Sequence, residues 1–212
     1  MTLEDYILDH IDGEGEQLSR LNRDAHVNLL RPRMLSGHLQ GRILKMLVRM
    51  HQPKRILEIG TYTGYATLCL AEALQEGGKI HTIEKDDEME DFIRKQFKLS
   101  ENENKIHLHI GDAVEIIPQL TDNFDMVFID ADKRLYCKYY DLIFDKVNEG
   151  GVILADNTLW DGKVLENPHP NDKQTVGIQL FNEKIKQDKR IEKVLLPLRD
   201  GLTVIYKLAT SF

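Results

Sequence analysis

The chain has 212 residues, 42% hydrophobic and 30% charged, with a formal net charge of −7, the size and balance of one globular domain with a substantial core. No apolar run approaches the roughly 20 residues that cross a bilayer, and the acidic start MTLEDYILDHIDGEGE lacks the basic and apolar regions of a secretory signal. Its two cysteines, Cys69 and Cys137, lie among apolar residues in helical patterns and read as buried free thiols, so the expected setting is a reducing cytoplasm.

Leu3, Tyr6, Ile7, His10 and Ile11 recur at helical spacing and predict an opening helix, interrupted by Gly13 and Gly15. From Arg20 to Arg55 nine basic residues face one acid, Asp24, so this segment carries +8 and the remainder −15. Such a block reads as a surface for an anionic partner, as a solvated helix face, or as an arm docked on its own acidic domain or a second subunit. Pro32 precedes a second helical stretch over about 36–50, with Leu39, Ile43, Leu44, Leu47 and Val48 on one side and Ser36 placed to cap it. Strand and helix signals then alternate. Apolar runs at 56–59, 80–83, 106–110, 126–129 and 152–155 predict strands, and the stretches near 64–75, 87–99, 113–120 and 134–147 predict helices. That alternation implies right-handed crossovers and a parallel sheet covered on both faces. The tail differs: a helix near 174–187, a strand near 191–196, the turn Arg199-Asp200-Gly201 and a strand over 202–208. An Asp-Gly turn between strands predicts a hairpin, so the last strand runs antiparallel. The longest connection, 157–172, holds Trp160, Gly162, Pro168 and Pro170; long loops of this kind are often functional. With no repeat and no linker, the chain reads as one domain, a helical cap over 1–52 and a core over 53–212.

The segment Arg55-Ile56-Leu57-Glu58-Ile59-Gly60-Thr61-Tyr62-Thr63-Gly64-Tyr65 carries most of the chemistry. It reads as a buried strand, a glycine turn and a helix start, the arrangement that forms ligand sites at the carboxyl ends of strands in open α/β sheets. A dinucleotide turn has the spacing G-x-G-x-x-G; here it is E-x-G-x-x-x-G. Glu58 stands where a phosphate would be repelled. A ligand with cationic groups and no phosphate fits better, and S-adenosylmethionine carries a sulfonium and an ammonium. Glu84 ends the second strand, 26 residues after Glu58, in place to bind both hydroxyls of a ribose, although a solvated carboxylate opening the next helix reads as well. Asp112, in Gly111-Asp112-Ala113, suits either an N-cap or a contact to an adenine amine. The fourth and fifth strands end in Asp130-Ala131-Asp132-Lys133 and Asp156-Asn157. Asp130, Asp156 and Asn157 offer hard oxygen donors suited to Mg²⁺, Mn²⁺ or Ca²⁺. Lys133 beside them reads as a general base or as an ion-pair partner of Asp130 or Asp132. His107 and His109 alternate on one strand; with no cysteine or third histidine beside them, the reading is structural.

The segments LEIGTYTGYATL, HTIEKD, GDA, FIDADK and GGVILADNTLWDGKV together resemble the cation-dependent small-molecule O-methyltransferases, the group of the catechol and caffeoyl-CoA enzymes and their bacterial relatives. The resemblance runs from about Met34 to the C-terminus, and DADK with DNTLWDG is close to the caffeoyl-CoA branch. It implies a class I methyltransferase fold, α/β and Rossmann-like, with a seven-stranded, mostly parallel sheet, an antiparallel last strand and helices on both faces. It further implies that Met34, Ser36, Glu58 and Gly60 approach the methionine part of S-adenosylmethionine, that Tyr62 and Tyr65 lie beside it, that Glu84 holds the ribose, and that Asp112 and Ala113 flank the adenine. By the same resemblance Asp130, Asp156 and Asn157 are metal ligands, Asp130 and Lys133 serve catalysis, and Trp160 walls the acceptor pocket. Ala66 replaces the serine common in relatives, leaving the backbone or Thr67 for the cofactor carboxylate. No acid near Val194 matches the catechol enzyme's clamp on the second hydroxyl.

The expected activity is methylation of a small vicinal diphenol, catechol-like or caffeoyl-like, by a homodimer, the basic segment serving a bulky anionic tail. The alternatives are methylation of a hydroxylated uridine in tRNA, with that segment tracking phosphates, and a non-catalytic cofactor-binding protein.

Overall fold

The computed structural model describes residues 1–169 and 171–209, so Pro170 of the long loop falls outside the described residues. In chain order the elements are α1 (Leu3–Asp9), α2 (Gly15–Asn28), α3 (Gly37–His51), β1 (Arg55–Ile59), α4 (Tyr65–Ala71), β2 (Lys79–Glu84), α5 (Glu90–Lys98), β3 (Ile106–Ile110), α6 (Ala113–Ile116), β4 (Phe124–Ile129), α7 (Tyr136–Phe144), β5 (Val147–Asp156), α8 (Lys173–Gln187), β6 (Ile191–Leu196) and β7 (Leu202–Lys207). They build a seven-stranded sheet in the order β3-β2-β1-β4-β5-β7-β6. Six strands run parallel and β7 runs antiparallel to its neighbours β5 and β6, as the alternation and the Asp-Gly hairpin predict. The turn motif alone does not say which hairpin strand enters the sheet; the fold inserts β7 beside β5 and leaves β6 at the edge.

Several local expectations need correction. A helix that runs into the basic segment, α2, goes unread in the sequence. Its signal is the spacing of Leu18, Leu21 and Ala25, all buried, diluted by intervening charge. Ser36 does occupy the position before α3, but its side chain makes no capping hydrogen bond. The helix expected over 113–120 is a four-residue α6 followed by a 3-10 turn over Ile117–Gln119. Both cysteines are free, and Cys69 is buried as expected; Cys137 is only half-buried.

The chain packs as two compact units, one from Met1–Lys54 with Thr61–Ile110, the other from Arg55–Gly60 with the chain from Gly111 onward. In the first, Leu18, Leu21, Ala25, Leu35, Tyr65, Leu68, Cys69, Ile93 and Phe97 form one apolar cluster. Glu72 receives Arg42 at 3.2 Å and Lys45 at 2.7 Å, so part of the basic segment docks on its own acid. Among the described residues Arg23, Arg31, Arg33 and Arg49 carry no ion pair.

In the first unit His81 of β2 also pairs in register with His107 of β3. Its ring stacks on His107 at 5.0 Å and on His109 at 5.2 Å, with His81 Nδ1 3.0 Å from His109 Nε2. A third histidine therefore does accompany the pair, because parallel register sets residues of adjacent strands side by side on one face. No group of three or more acidic, cysteine or histidine side chains suited to a metal ion occurs among the described residues.

The second unit holds the most buried strands. Ile56, Leu57, Phe124, Val127, Phe128 and Ile129 are fully buried, as expected of parallel strands covered on both faces. Ile59 pairs with Ile129 and Ile129 with Ala155, so β1, β4 and β5 end flush. The residues that follow, Gly60, Asp130 and Asp156, reach one edge together. No helix among the described residues is long and apolar enough to cross a membrane.

Candidate active site

The second unit places the strand-end acids. Gly60 has φ +101°, and a Cβ there would collide with the Asp130 carbonyl oxygen. Glycine is required twice over, by the left-handed backbone and by the close approach of two strand ends. Asp130 N donates to Ile59 O at 2.9 Å, tying the same two strand ends. Glu58 is fully buried and Asp156 is 4% exposed; carboxylates are taken out of water at such cost only where charge or hydrogen bonds compensate.

Lys133 is 5% exposed. Its Nζ donates to Asp130 Oδ1 at 2.9 Å and to Tyr136 Oη at 2.7 Å. Of the two ion-pair partners open from sequence, Asp130 is the one observed. Asp132 instead caps the next turn, accepting from Arg134 N at 3.1 Å and holding the Arg134 guanidinium, which keeps its carboxyl below the usual range. Tyr136 was not singled out from sequence. Its Oη lies 3.1 Å from Ile129 O and 3.0 Å from Asp156 O. Burial first, and then the charges of Asp130 and Asp156, push its phenol well above its ordinary value. One hydroxyl thus meets backbone carbonyls at the ends of both β4 and β5. The three-residue steps Asp130, Lys133, Tyr136 are the signal that marks it.

Asp112 caps α6, accepting from Val114 N at 2.9 Å, and Ala113 is buried; the capping half of the Asp112 reading is observed. Past β5, Asn157 has φ 58°, Trp160 φ 50° and Asp161 φ 53°. Thr158 N donates to Gly201 O at 3.0 Å, Leu159 N to Asp200 O at 2.8 Å, and Thr203 Oγ1 to Thr158 Oγ1 at 2.8 Å. The β6–β7 hairpin turn therefore holds the loop that carries half-buried Trp160.

In the first unit, Tyr62 N donates to Glu84 Oε2 at 2.6 Å and Asp86 N to Glu84 Oε1 at 2.9 Å. Thr61 Oγ1 and Thr82 Oγ1 lie 2.5 Å apart, which locks the glycine turn to β2. Tyr62 has φ 51°, and its Oη donates to Arg31 O at 2.9 Å, reaching the segment that leads to exposed Met34 and buried Ser36. Tyr65 is placed in the apolar cluster, its Oη donating to Glu14 Oε2 at 2.5 Å; its side chain is a packing element. Ala66 and Thr67 are both buried. Of the six non-glycine residues with positive φ among those described, Tyr62, Asn157 and Trp160 are candidate site residues. Strain of that kind concentrates where function over-determines the backbone.

A family model described as O-methyltransferase matches residues 9–208. The chain is 36% identical over 174 residues to catechol O-methyltransferase domain-containing protein 1 of Mus musculus, covering 80% of this chain and 66% of that protein, just under two thirds of its length. It is 33% identical over 211 residues to probable caffeoyl-CoA O-methyltransferase 2 of Dictyostelium discoideum, covering 96% and 90%. Among solved structures, the O-methyltransferase TomG of Streptomyces achromogenes in complex with SAM superposes with a TM-score of 0.91 at 29% identity, covering 98% of this chain and 96% of that one. With the glycine turn, the flush strand ends and the seven-stranded topology, these findings identify the chain as a member of the S-adenosylmethionine-dependent O-methyltransferase family.

Proposed function

We propose that the protein is a divalent-metal-dependent O-methyltransferase acting on one hydroxyl of a small vicinal diphenol. The observation that carries the reading is the buried Lys133 ammonium on Asp130 Oδ1, beside a hydroxyl that also meets the Asp156 carbonyl. The donor set fits a hard cation: two carboxylates at adjacent strand ends and the Asn157 amide oxygen. Asp130, Asp156 and Asn157 would hold the ion, which when bound would supply the Lewis acidity that lowers the pKa of an acceptor hydroxyl.

The protein's own groups do the rest. Lys133, nearly dry, turns its ammonium toward the acceptor oxygen and screens the negative charge that develops there as the hydroxyl proton passes to water. Glu58, Gly60, Tyr62 and Ala66 with Met34 and Ser36 receive the methionine part of the methyl donor, Glu84 its ribose, and Asp112 with Ala113 its adenine. The hydroxyl oxygen then displaces the sulfonium sulfur from the methyl carbon in line, leaving S-adenosylhomocysteine. Holding oxygen and methyl close and aligned supplies several kcal/mol, up to roughly 7–11 in favourable cases. Trp160 walls the acceptor ring. Arg31, whose carbonyl accepts from Tyr62 Oη, and Arg33, neither of them in an ion pair, receive an anionic tail on the acceptor. In this reading the protein works as a homodimer, and the exposed Leu3 and Tyr6 of α1, a helix with no buried residue, belong to the contact between copies.

The test is transfer from radiolabelled S-adenosylmethionine across a panel of catechols and caffeoyl thioesters, with and without chelator. Methylation that disappears with chelation, with Asp156→Ala and with Lys133→Met is expected. Undiminished turnover of a diphenol by chelated Asp156→Ala refutes the mechanism.

A further inference from the structure

We infer that Tyr136 is the positioning residue for Lys133, fixing its ammonium at the ends of β4 and β5. The inference rests on the reading of Lys133 as the group that meets the reacting hydroxyl. Tyr136 is fully buried and begins α7. Two backbone carbonyls, Ile129 O at 3.1 Å and Asp156 O at 3.0 Å, lie within reach of Oη, as do two donors, the Lys133 ammonium at 2.7 Å and the Ala131 backbone N–H. A carbonyl only accepts and an ammonium only donates. The phenolic proton is therefore directed at a carbonyl, and a lone pair is left facing Lys133. The hydroxyl's polarity is set by the two strand ends.

The consequence falls on the lysine. A four-carbon stem ending in a compact ammonium has many rotamers, and one bond to Asp130 leaves it free to swing about that oxygen. A second acceptor on a different element removes that freedom. Two of the three N–H bonds are then committed, and the third is available to an acceptor hydroxyl. The aromatic ring is itself held, edge-on to Phe181 with centroids 5.4 Å apart, so the anchor does not drift with its load.

Tyr136→Phe keeps the ring and the Phe181 contact and removes Oη alone. Misplacing a catalytic group by about 1 Å costs on the order of 100-fold, so kcat is expected to fall about 10- to 100-fold while the Kd for S-adenosylhomocysteine, read by calorimetry, stays within twofold. In ¹H–¹⁵N spectra of lysine side chains, the slowly exchanging Lys133 ammonium signal, assigned by its loss in Lys133→Met, is expected to disappear in Tyr136→Phe. Tyr140→Phe is the control: it removes another buried phenol, bound to Asp188 Oδ2 at 3.0 Å, and leaves both readouts unchanged. Wild-type kcat in Tyr136→Phe, or a lowered kcat with the ammonium signal intact, overturns the positioning role. Should Tyr136→Phe fail to fold, the wild-type protein decides by itself, since a Lys133 ammonium exchanging as fast as surface lysines excludes a fixed group. Full activity of Lys133→Met is a different result, sinking the reading on which the inference rests.

Discussion

Gly177→Ala tests how the lysine turn is held. Gly177 lies on the buried face of α8, and a Cβ there would meet Lys133 O at 2.5 Å, Arg134 Cα at 2.8 Å and Lys133 C at 3.0 Å. All three are backbone atoms, so no side chain can move aside. Restoring ordinary contact at 3.4 Å requires α8 and the turn to part by about 0.9 Å. Two effects then compete. Alanine favours a helix interior over glycine by about 1 kcal/mol, whereas overpacking costs about 1–3 kcal/mol. The balance is a loss of about 0–2 kcal/mol, which for a chain of this size lowers Tm by at most about 8 °C. Activity should suffer more than stability, because the displacement is delivered to Lys133; a shift near 1 Å at a catalytic group costs on the order of 100-fold. Calorimetric Tm, cofactor affinity and steady-state kcat measured on one preparation separate the two effects. A raised Tm with unchanged kcat would mean that helix propensity wins and that the close contact carries no weight.

Glu84→Ala strips both carboxylate acceptors from Tyr62 N and Asp86 N and should weaken S-adenosylhomocysteine binding about 10-fold or more, since hydrogen bonds to a charged group are worth about 1.5–3 kcal/mol; unchanged affinity by calorimetry contradicts the ribose assignment. Leu21→Ala empties a fully buried position in the first unit's apolar cluster and should cost about 2–5 kcal/mol in chemical denaturation; a loss below about 1 kcal/mol would show that α2 does not pack as described. Burial, and then the charge of His107, lower the His109 pKa below 6.5. The unfolded chain therefore binds that proton more readily, so its contribution is complete above 6.5 and is lost as pH falls through the lower folded value. His81 and His107 stack in the same group, and His109→Gln should flatten, without abolishing, the fall of Tm between pH 7 and 5; parallel curves for the two proteins refute it. Burial pushes the Cys69 thiol up to about 12 and raises that of half-buried Cys137, so a disulfide exchange reagent at pH 8 should label Cys137 slowly and Cys69 only on unfolding, and rapid native labelling of Cys69 counts against its burial.

Local signals were enough for much of this protein. The apolar runs, the glycine turn after Glu58, the acids that end three strands and the Asp-Gly hairpin each depend on a few consecutive residues, where backbone preference and periodicity are legible. They foretold the alternating sheet and placed Glu58, Gly60, Asp130 and Asp156 at strand ends. Helix α2 went unread because charge diluted its apolar spacing, although the signal is local. Other features are long-range. His81 meets His107 only through the β2–β3 register. Gly177 is required not by its own conformation but by the backbone of Lys133, more than forty residues earlier in the chain. The hairpin could have entered the sheet by either strand until packing beside β5 chose β7. Tyr136 reads from sequence as one more aromatic in a helix. It becomes the partner of Lys133 because β4 and β5 end flush, presenting two carbonyls to one hydroxyl. Periodicity encodes which face of an element is buried, but which neighbour that face meets depends on register and crossover, and these are decided only when the whole sheet closes.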